Sequence, residues 1–456
     1  MNTERLRELD RRYMWHPYTD MEKWMAGEPL VIERAEGCWL IDTDGRRYLD
    51  GTASFGATAH GHRRAELDEA LIAQVQRVAH TSTYLLTHPA AAELAARLVR
   101  LAPPGLERVW FSESGSGAME TALKMTYAYW QFRGEPERTL FVSMDGAYHG
   151  DTLGTISVGF NRAAYSPLMF PARTFARPYC YRCPLDLSYP SCGLACADTL
   201  EDVLAREGDR VAAVLVEPLI QGLAGGVAAP DGYLARVAEI TRRHGVLLIA
   251  DEIFTGFGRT GTMFASEAED VAPDLLAVGK GLTGGYLPLS ATLATAEIFE
   301  TFLGEGRMFL NGTTYSGNPL AAAVALANLD VLEQQDTVGR ARALAGVLAV
   351  ELKAFQGLAH VGDIRQRGLY AGIELVEDPA TRTPFPPDAH ISMQVCYRAR
   401  ELGLIINSVL GDVIAVVPAL TMSPDDLRLL MAILLRAIRE VTEHCSTSGA
   451  RPRTAI

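Results

Sequence analysis

Short apolar runs alternate with helical stretches through the middle of the chain. "VWF" at 109–111, "LFVSM" at 140–144, "VAAVLVE" at 211–217, "VLLIAD" at 246–251 and "LLAVGK" at 275–280 have the length and composition of buried strands. A helix is predicted after Gly117, and "YLARVAEITRRHG" has helical spacing. Strands that alternate with helices predict a mainly parallel sheet covered on both faces.

The flanks follow other patterns. Residues 1–30 predict a helix and an extended arm. "CWLIDTDGRRYLDG", 38–51, predicts a hairpin, with Asp44-Gly45 as its tight turn. "HPAAAELAARLVRLA", 88–102, predicts a helix that Pro103-Pro104-Gly105 ends. Near 330 a long helix, "PLAAAVALANLDVLEQQ", leads into strands such as "LYAGIEL" and "VIAVVPA", and the tail "STSGARPRTAI" predicts disorder. These shifts predict an α/β fold with a large domain over 65–329. A smaller α+β domain is expected from 1–64 and 330–456 together.

Length and charge narrow the function. A chain of 456 residues is long enough for roughly two to four domains and a large core. Its formal net charge of −13 argues against a nucleic-acid or anionic-membrane partner, which calls for a basic face. No apolar run reaches the roughly 18 residues of a membrane span. "LLMAILL" at 429–435 lies between Arg428 and Arg436 and fits a buried helix. The charged start lacks the apolar core of a signal peptide, so a cytoplasmic location is expected.

Four of the seven cysteines cluster in "CYRCPLDLSYPSCGLAC". Cys180, Cys183, Cys192 and Cys196 form CxxC and CxxxC pairs, a spacing related to that of zinc sites. The gap between the pairs is shorter than in common zinc modules. A surface loop of free thiols is the alternative, and no metal is expected.

Four stretches carry candidate chemistry. In "FSESGSGAMETALK", 111–124, a Gly/Ser loop opens a helix, so N–H groups at Gly115 and Ser116 can cradle a phosphate. In "DGAYHGDT", 145–152, an aromatic ring beside glycines can stack on a flat cofactor. In "VLLIADEIFTGFGRTG", 246–261, Asp251 and Glu252 end an apolar strand and point to opposite faces. A buried Asp251 needs a cation, either a protonated ring nitrogen or Arg259. Glu252 is expected to be structural and paired with a basic group on the far face. In "LLAVGKGLTGG", 275–285, Lys280 follows an apolar run, where a lysine has a lowered pKa and can act as nucleophile and base. Phosphate cradle, stacking ring, acid and lysine at successive strand ends together describe a pyridoxal phosphate site.

The span from "LLIADEI" through "GFGRTG" to "DLLAVGKGLTGG" resembles the signature of class III pyridoxal-phosphate aminotransferases of fold type I, and the likeness covers nearly the whole chain. It implies homodimers with a shared active site and ping-pong amine transfer. Lys280 becomes the Schiff-base lysine and Asp251 the partner of the pyridine nitrogen. Ser114, Gly115 and Ser116 lie at the phosphate, with Thr314 reaching the phosphate of the neighbouring subunit. Tyr148 and His149 lie at the ring, and Glu217 lies near Asp251. A same-fold aminomutase or decarboxylase is the rival. A non-catalytic binder would not need both Lys280 and Asp251.

Within the family, "MWHPYTDM", "AYHGDTLGTISVG", "GGYLPLSATL" and "HVGDIRQRG" resemble the branch that aminates 8-amino-7-oxononanoate in biotin synthesis, with Tyr18 in the substrate pocket. Two stretches depart from that branch. Where it has tryptophan before "HGH", this chain has Phe55 and Gly56, which predicts a wider pocket. Where it carries an arginine that grips the substrate carboxylate, this chain has Asn407 and Ser408. Loss of such a pair costs about 1.5–3 kcal/mol. A bulkier or less acidic amine is therefore expected, with Arg259, Arg365 and Arg367 as candidate replacements for the clamp.

Overall fold

The computed structural model describes residues 2–160 and 162–447. Seven strands form the central sheet, in the order Leu106–Ser112, Ser290–Thr295, Leu275–Val278, Leu247–Asp251, Val211–Val216, Leu140–Met144 and Ala172–Phe175. Neighbours run parallel except at Ser290–Thr295, which pairs antiparallel on both sides. Every residue of Val211–Val216 and Leu247–Asp251 is buried, and burying each large aliphatic side chain contributes about 1.5–3 kcal/mol.

Helices cover the sheet, and their ends follow local chemistry. Gly115–Arg133 starts at Ser114, whose hydroxyl accepts from Gly117 N–H, and stops at left-handed Gly134. Pro319–Gln334 starts at Asn318, whose side chain accepts from Leu320 and Ala321 N–H. The helix predicted after Gly117 thus begins at Gly115, because Ser114 supplies the cap.

Two four-stranded sheets accompany the large one, besides the short pair Ile220–Gln221 and Val227–Ala228. Ile32–Glu36, Trp39–Asp42 and Arg47–Asp50 are joined by Leu404–Ile405, with Leu404 opposite Leu49. The first and last parts of the chain therefore share one sheet. The predicted tight turn is present, with Gly45 at φ 82° and its N–H on the Asp42 carbonyl. The third sheet is Val361–Arg367, Tyr370–Leu375, Val413–Val416 and Asn407–Val409. The N-terminal arm is less extended than predicted, because Asp20 caps a short helix at Met21–Ala26. Of the tail predicted to be disordered, Ser446 and Thr447 end the helix Pro424–Thr447, and 448–456 lie outside the described residues. No described helix is long and apolar enough to cross a membrane.

Candidate active site

The strands of the central sheet deliver one side chain after another to a single cleft. Gly115 and Ser116 follow Leu106–Ser112, and Tyr148 and His149 follow Leu140–Met144. Glu217 follows Val211–Val216, Asp251 ends Leu247–Asp251, and Lys280 follows Leu275–Val278. All of them line a cleft of about 210 Å³. This is where open α/β sheets bind ligands, beyond the carboxyl ends of their strands.

The charged floor is tightly built. Asp251 Oδ2 accepts from His149 Nδ1 at 2.8 Å, and Oδ1 accepts from Ile253 N–H at 3.1 Å. Glu217 accepts from the N–H groups of Tyr148 and Gly222 at 3.0 and 3.2 Å. Burial pushes the Glu217 carboxyl up to about 7, opposed by His149. Burial lowers the Lys280 amine, opposed by Asp251 and then Glu217. Among the described residues no hydrogen bond or ion pair holds Lys280 Nζ, and the centre of the Phe254 ring lies 5.3 Å away. Lys280 has φ 39°, a left-handed backbone that is strained for a residue with a side chain.

The raised Glu217 predicts a pH effect on folding. A carboxyl above its ordinary value binds its proton more tightly in the folded chain. Its contribution is full below 4.5 and is lost as pH rises through about 7. Glu217→Gln should remove that part of the slope, measured by urea unfolding of the cofactor-free protein across this window. An unchanged slope would contradict the assignment.

Asp251 and Glu252 do point apart. Glu252 is fully buried away from the cleft and accepts from Ala265 N–H (2.6 Å), Ser266 N–H (2.8 Å) and the hydroxyls of Ser266 (2.5 Å) and Thr255 (3.1 Å). The expected basic partner is replaced by backbone and hydroxyl donors of the following turn. Arg259 reaches neither Asp251 nor the cleft. It is buried and donates to the carbonyls of Leu369 and Pro418 at 3.1 and 2.6 Å. It ties the turn after the strand to the C-terminal part of the chain, and burial lowers it to about 10.

The other arginines are also committed. Arg365 pairs with Glu374 at 2.6 Å and Asp363 at 2.7 Å, and donates to the carbonyls of Gly225 and Gly226. Arg367 holds Asp231 and the Ala229 carbonyl. Among the described residues no arginine lines the cleft.

Phe55 sits at the rim on four successive left-handed residues, Ala53 to Gly56. Each non-glycine there costs about 1–2 kcal/mol. Thr52 holds the turn by accepting from Ser54 N–H on its hydroxyl and from Gly56 N–H on its carbonyl. The space freed at Gly56 is not open, since a Cβ there would lie 2.9 Å from a Phe254 ring carbon. The wider pocket predicted from Gly56 is corrected on this point.

Asn407 lines the wall. Tyr18 does not line the cleft but is joined to Tyr148, which does, through Asp151, which accepts from both hydroxyls at 2.5 and 2.7 Å. Ser114 serves as the helix cap, and Thr314 is exposed on a separate loop. Phe254, Asp151 and Tyr370 were not singled out in the sequence. Asp151 lies two residues beyond His149, and Phe254 three beyond Asp251, so proximity to the motifs was the available signal. Cys180, Cys183, Cys192 and Cys196 share a small cavity elsewhere, but among the described residues no group of His, Cys, Asp or Glu is arranged to hold a metal.

The sequence model of the class III aminotransferases matches residues 21–438. The adenosylmethionine-8-amino-7-oxononanoate aminotransferase of Geobacter sulfurreducens is 44% identical over 97% of this chain and 99% of its own length. Its namesake from Nitratidesulfovibrio vulgaris is 46% identical over 98% of this chain and 84% of its own length. The crystal structure of the Methanocaldococcus jannaschii enzyme of that name superposes with a TM-score of 0.92 at 36% identity, covering 96% of this chain and 99% of that one. A thermostable (S)-enantioselective omega-transaminase from Thermomicrobium roseum gives a TM-score of 0.93 at 36% identity, over 97% and 99% of the two chains. The mainly parallel sheet is thus the fold type I architecture of the transaminases. The chain belongs to the class III aminotransferases.

Proposed function

We propose that this aminotransferase uses pyridoxal phosphate and moves an amino group between substrates that present no carboxylate to the cleft. The observation that carries the second part is the wall. Among the described residues no arginine lines it, and Arg259, Arg365 and Arg367 are each held by other partners.

The residues fit the cofactor. Ser114 caps the helix at Gly117, so Gly115 and Ser116 offer the first N–H groups of the helix to a phosphate. Asp251 is a buried carboxylate fixed by His149 and suited to hold a proton on a ring nitrogen. Tyr148, tied to Glu217 through its N–H and to Asp151 through its hydroxyl, covers one side of the cleft. When bound, the cofactor supplies an aldehyde that takes up amines and a ring that accepts charge from a deprotonated carbon. Lys280, lowered by burial, serves as the base that removes that proton and returns it. Tyr370, Val409, Ala415 and Val417 exclude water from the C-terminal side.

The second reading is the activity named for the relatives at 44% and 46% identity, amination of 8-amino-7-oxononanoate. A donor and acceptor panel separates the two. It pairs S-adenosylmethionine, lysine and aryl-alkyl amines with 8-amino-7-oxononanoate, pyruvate and an aldehyde without a carboxylate (benzaldehyde). Aryl-alkyl amines, which carry no carboxylate, are expected to be the best donors, and 8-amino-7-oxononanoate a weak acceptor, by about tenfold or more. Best turnover with S-adenosylmethionine and 8-amino-7-oxononanoate would establish the second reading instead.

Trp15, Leu85, Leu86, Met308 and Leu310 are exposed apolar side chains, which a second copy of the chain would cover in a homodimer. In such a homodimer the exposed Thr314 would serve the phosphate of the neighbouring subunit, as the family resemblance implies. Sedimentation of the holoenzyme should show twice the chain mass of 49.5 kDa. A species of single-chain mass would contradict the dimer.

A further inference from the structure

We infer that Phe254 is the specificity-determining residue of the cleft, and that Gly56 and Gly222 serve to admit its ring. The inference rests on the reading of Lys280 as the site of amine transfer. A Cβ built on Gly56 would lie 2.9 Å from Phe254 Cε2. One built on Gly222 would lie 3.2 Å from Cδ1 on the opposite edge. The ring is thus held edge to edge between two backbones that carry no side chains there. Tyr370 meets it at 87° with ring centres 5.4 Å apart, and the Tyr370 hydroxyl donates to the Gly222 carbonyl at 2.8 Å. Lys280 Nζ lies over the ring, 5.3 Å from its centre.

Three contacts therefore fix the ring, and its remaining surface lines the cleft beside the amine. Aromatic bulk missing at Gly56 is supplied from the turn after Asp251. The wall is moved, not removed. Any apolar substituent on the carbon that exchanges its amino group must share this space with Phe254. The ring limits the size of that substituent.

Two measurements test the inference. The first compares the holoenzyme with Phe254→Leu and Phe254→Ala on a small amine (sec-butylamine) and a larger one (α-ethylbenzylamine). The ratio of kcat/KM, larger over smaller, should rise by about tenfold or more in Phe254→Ala and by less in Phe254→Leu. An unchanged ratio, including equal loss on both amines, would overturn the inference.

The second is a thermal cycle with Gly56→Ala, alone and combined with Phe254→Ala. Gly56 has φ +81°, so backbone strain is present in both backgrounds and cancels. The loss in Tm from Gly56→Ala should be smaller once the ring is gone. Equal losses would mean that Phe254 does not fill the space. This cycle needs no turnover, so failure of the aminotransfer reading would be distinguishable from failure of the packing.

Discussion

Lys280→Ala should lose amine transfer by at least about a thousandfold while keeping the fold. Among the described residues Lys280 is the only lysine lining the cleft, and its backbone is already held in a left-handed conformation. Burial weakens its hold on a proton, and Asp251 and Glu217 keep part of that hold. An amine poised this way can take a proton from a carbon and give it back, and alanine can do neither. The variant should still bind pyridoxal phosphate through the Gly115 and Ser116 N–H groups and Asp251. Cofactor content and steady-state turnover, measured on one preparation, check both halves. Turnover near that of the parent would remove Lys280 from its role.

The adjacent acids should separate by variant. Asp251→Asn should lower turnover by about a hundredfold or more, because a neutral amide cannot hold a proton on a ring nitrogen as a carboxylate can. Its effect on stability should be smaller, since the side chain keeps its shape beside His149. Glu252→Gln should do the reverse. Its carboxylate accepts four hydrogen bonds from Ala265, Ser266 and Thr255, and the amide turns one acceptor into a donor facing buried N–H groups. A stability loss of about 3 kcal/mol is expected from the shift in denaturation midpoint. If Glu252→Gln cost activity without stability, the assignment of Glu252 to the scaffold would be wrong.

What could be seen in advance follows from how local each signal is. The strands at 140–144, 211–217, 246–251 and 275–280 are short apolar runs, and all lie where predicted. The divergence of Asp251 and Glu252 follows from strand alternation, which is strictly local. The Ser290–Thr295 strand is not legible in the sequence, because "SATLAT" mixes hydroxyls with small apolar residues. In the sheet those hydroxyls are spent on backbone, as when Ser290 donates to the Ser114 carbonyl and Thr292 to the Ala118 carbonyl.

Tertiary partners were the other blind spot. Strand alternation predicts a basic partner for Glu252, but a turn beyond it supplies N–H groups, and no residue type announces that. Arg259 sits inside the motif, yet its acceptors, Leu369 and Pro418, come from the far end of the chain. Gly56 read as an enlarged pocket because a glycine shows what it lacks and not what moves in. The ring that moves in belongs to Phe254, and only the fold brings the two together.

The most direct test is a half-reaction. Holoenzyme mixed with α-methylbenzylamine, with no acceptor present, should release one equivalent of acetophenone per active subunit. The cofactor absorbance should change once and then stop, and an added aldehyde should restore it. Absence of ketone, release of carbon dioxide from an amino acid in its place, or ketone formed without limit and without acceptor would contradict amine transfer at this cleft.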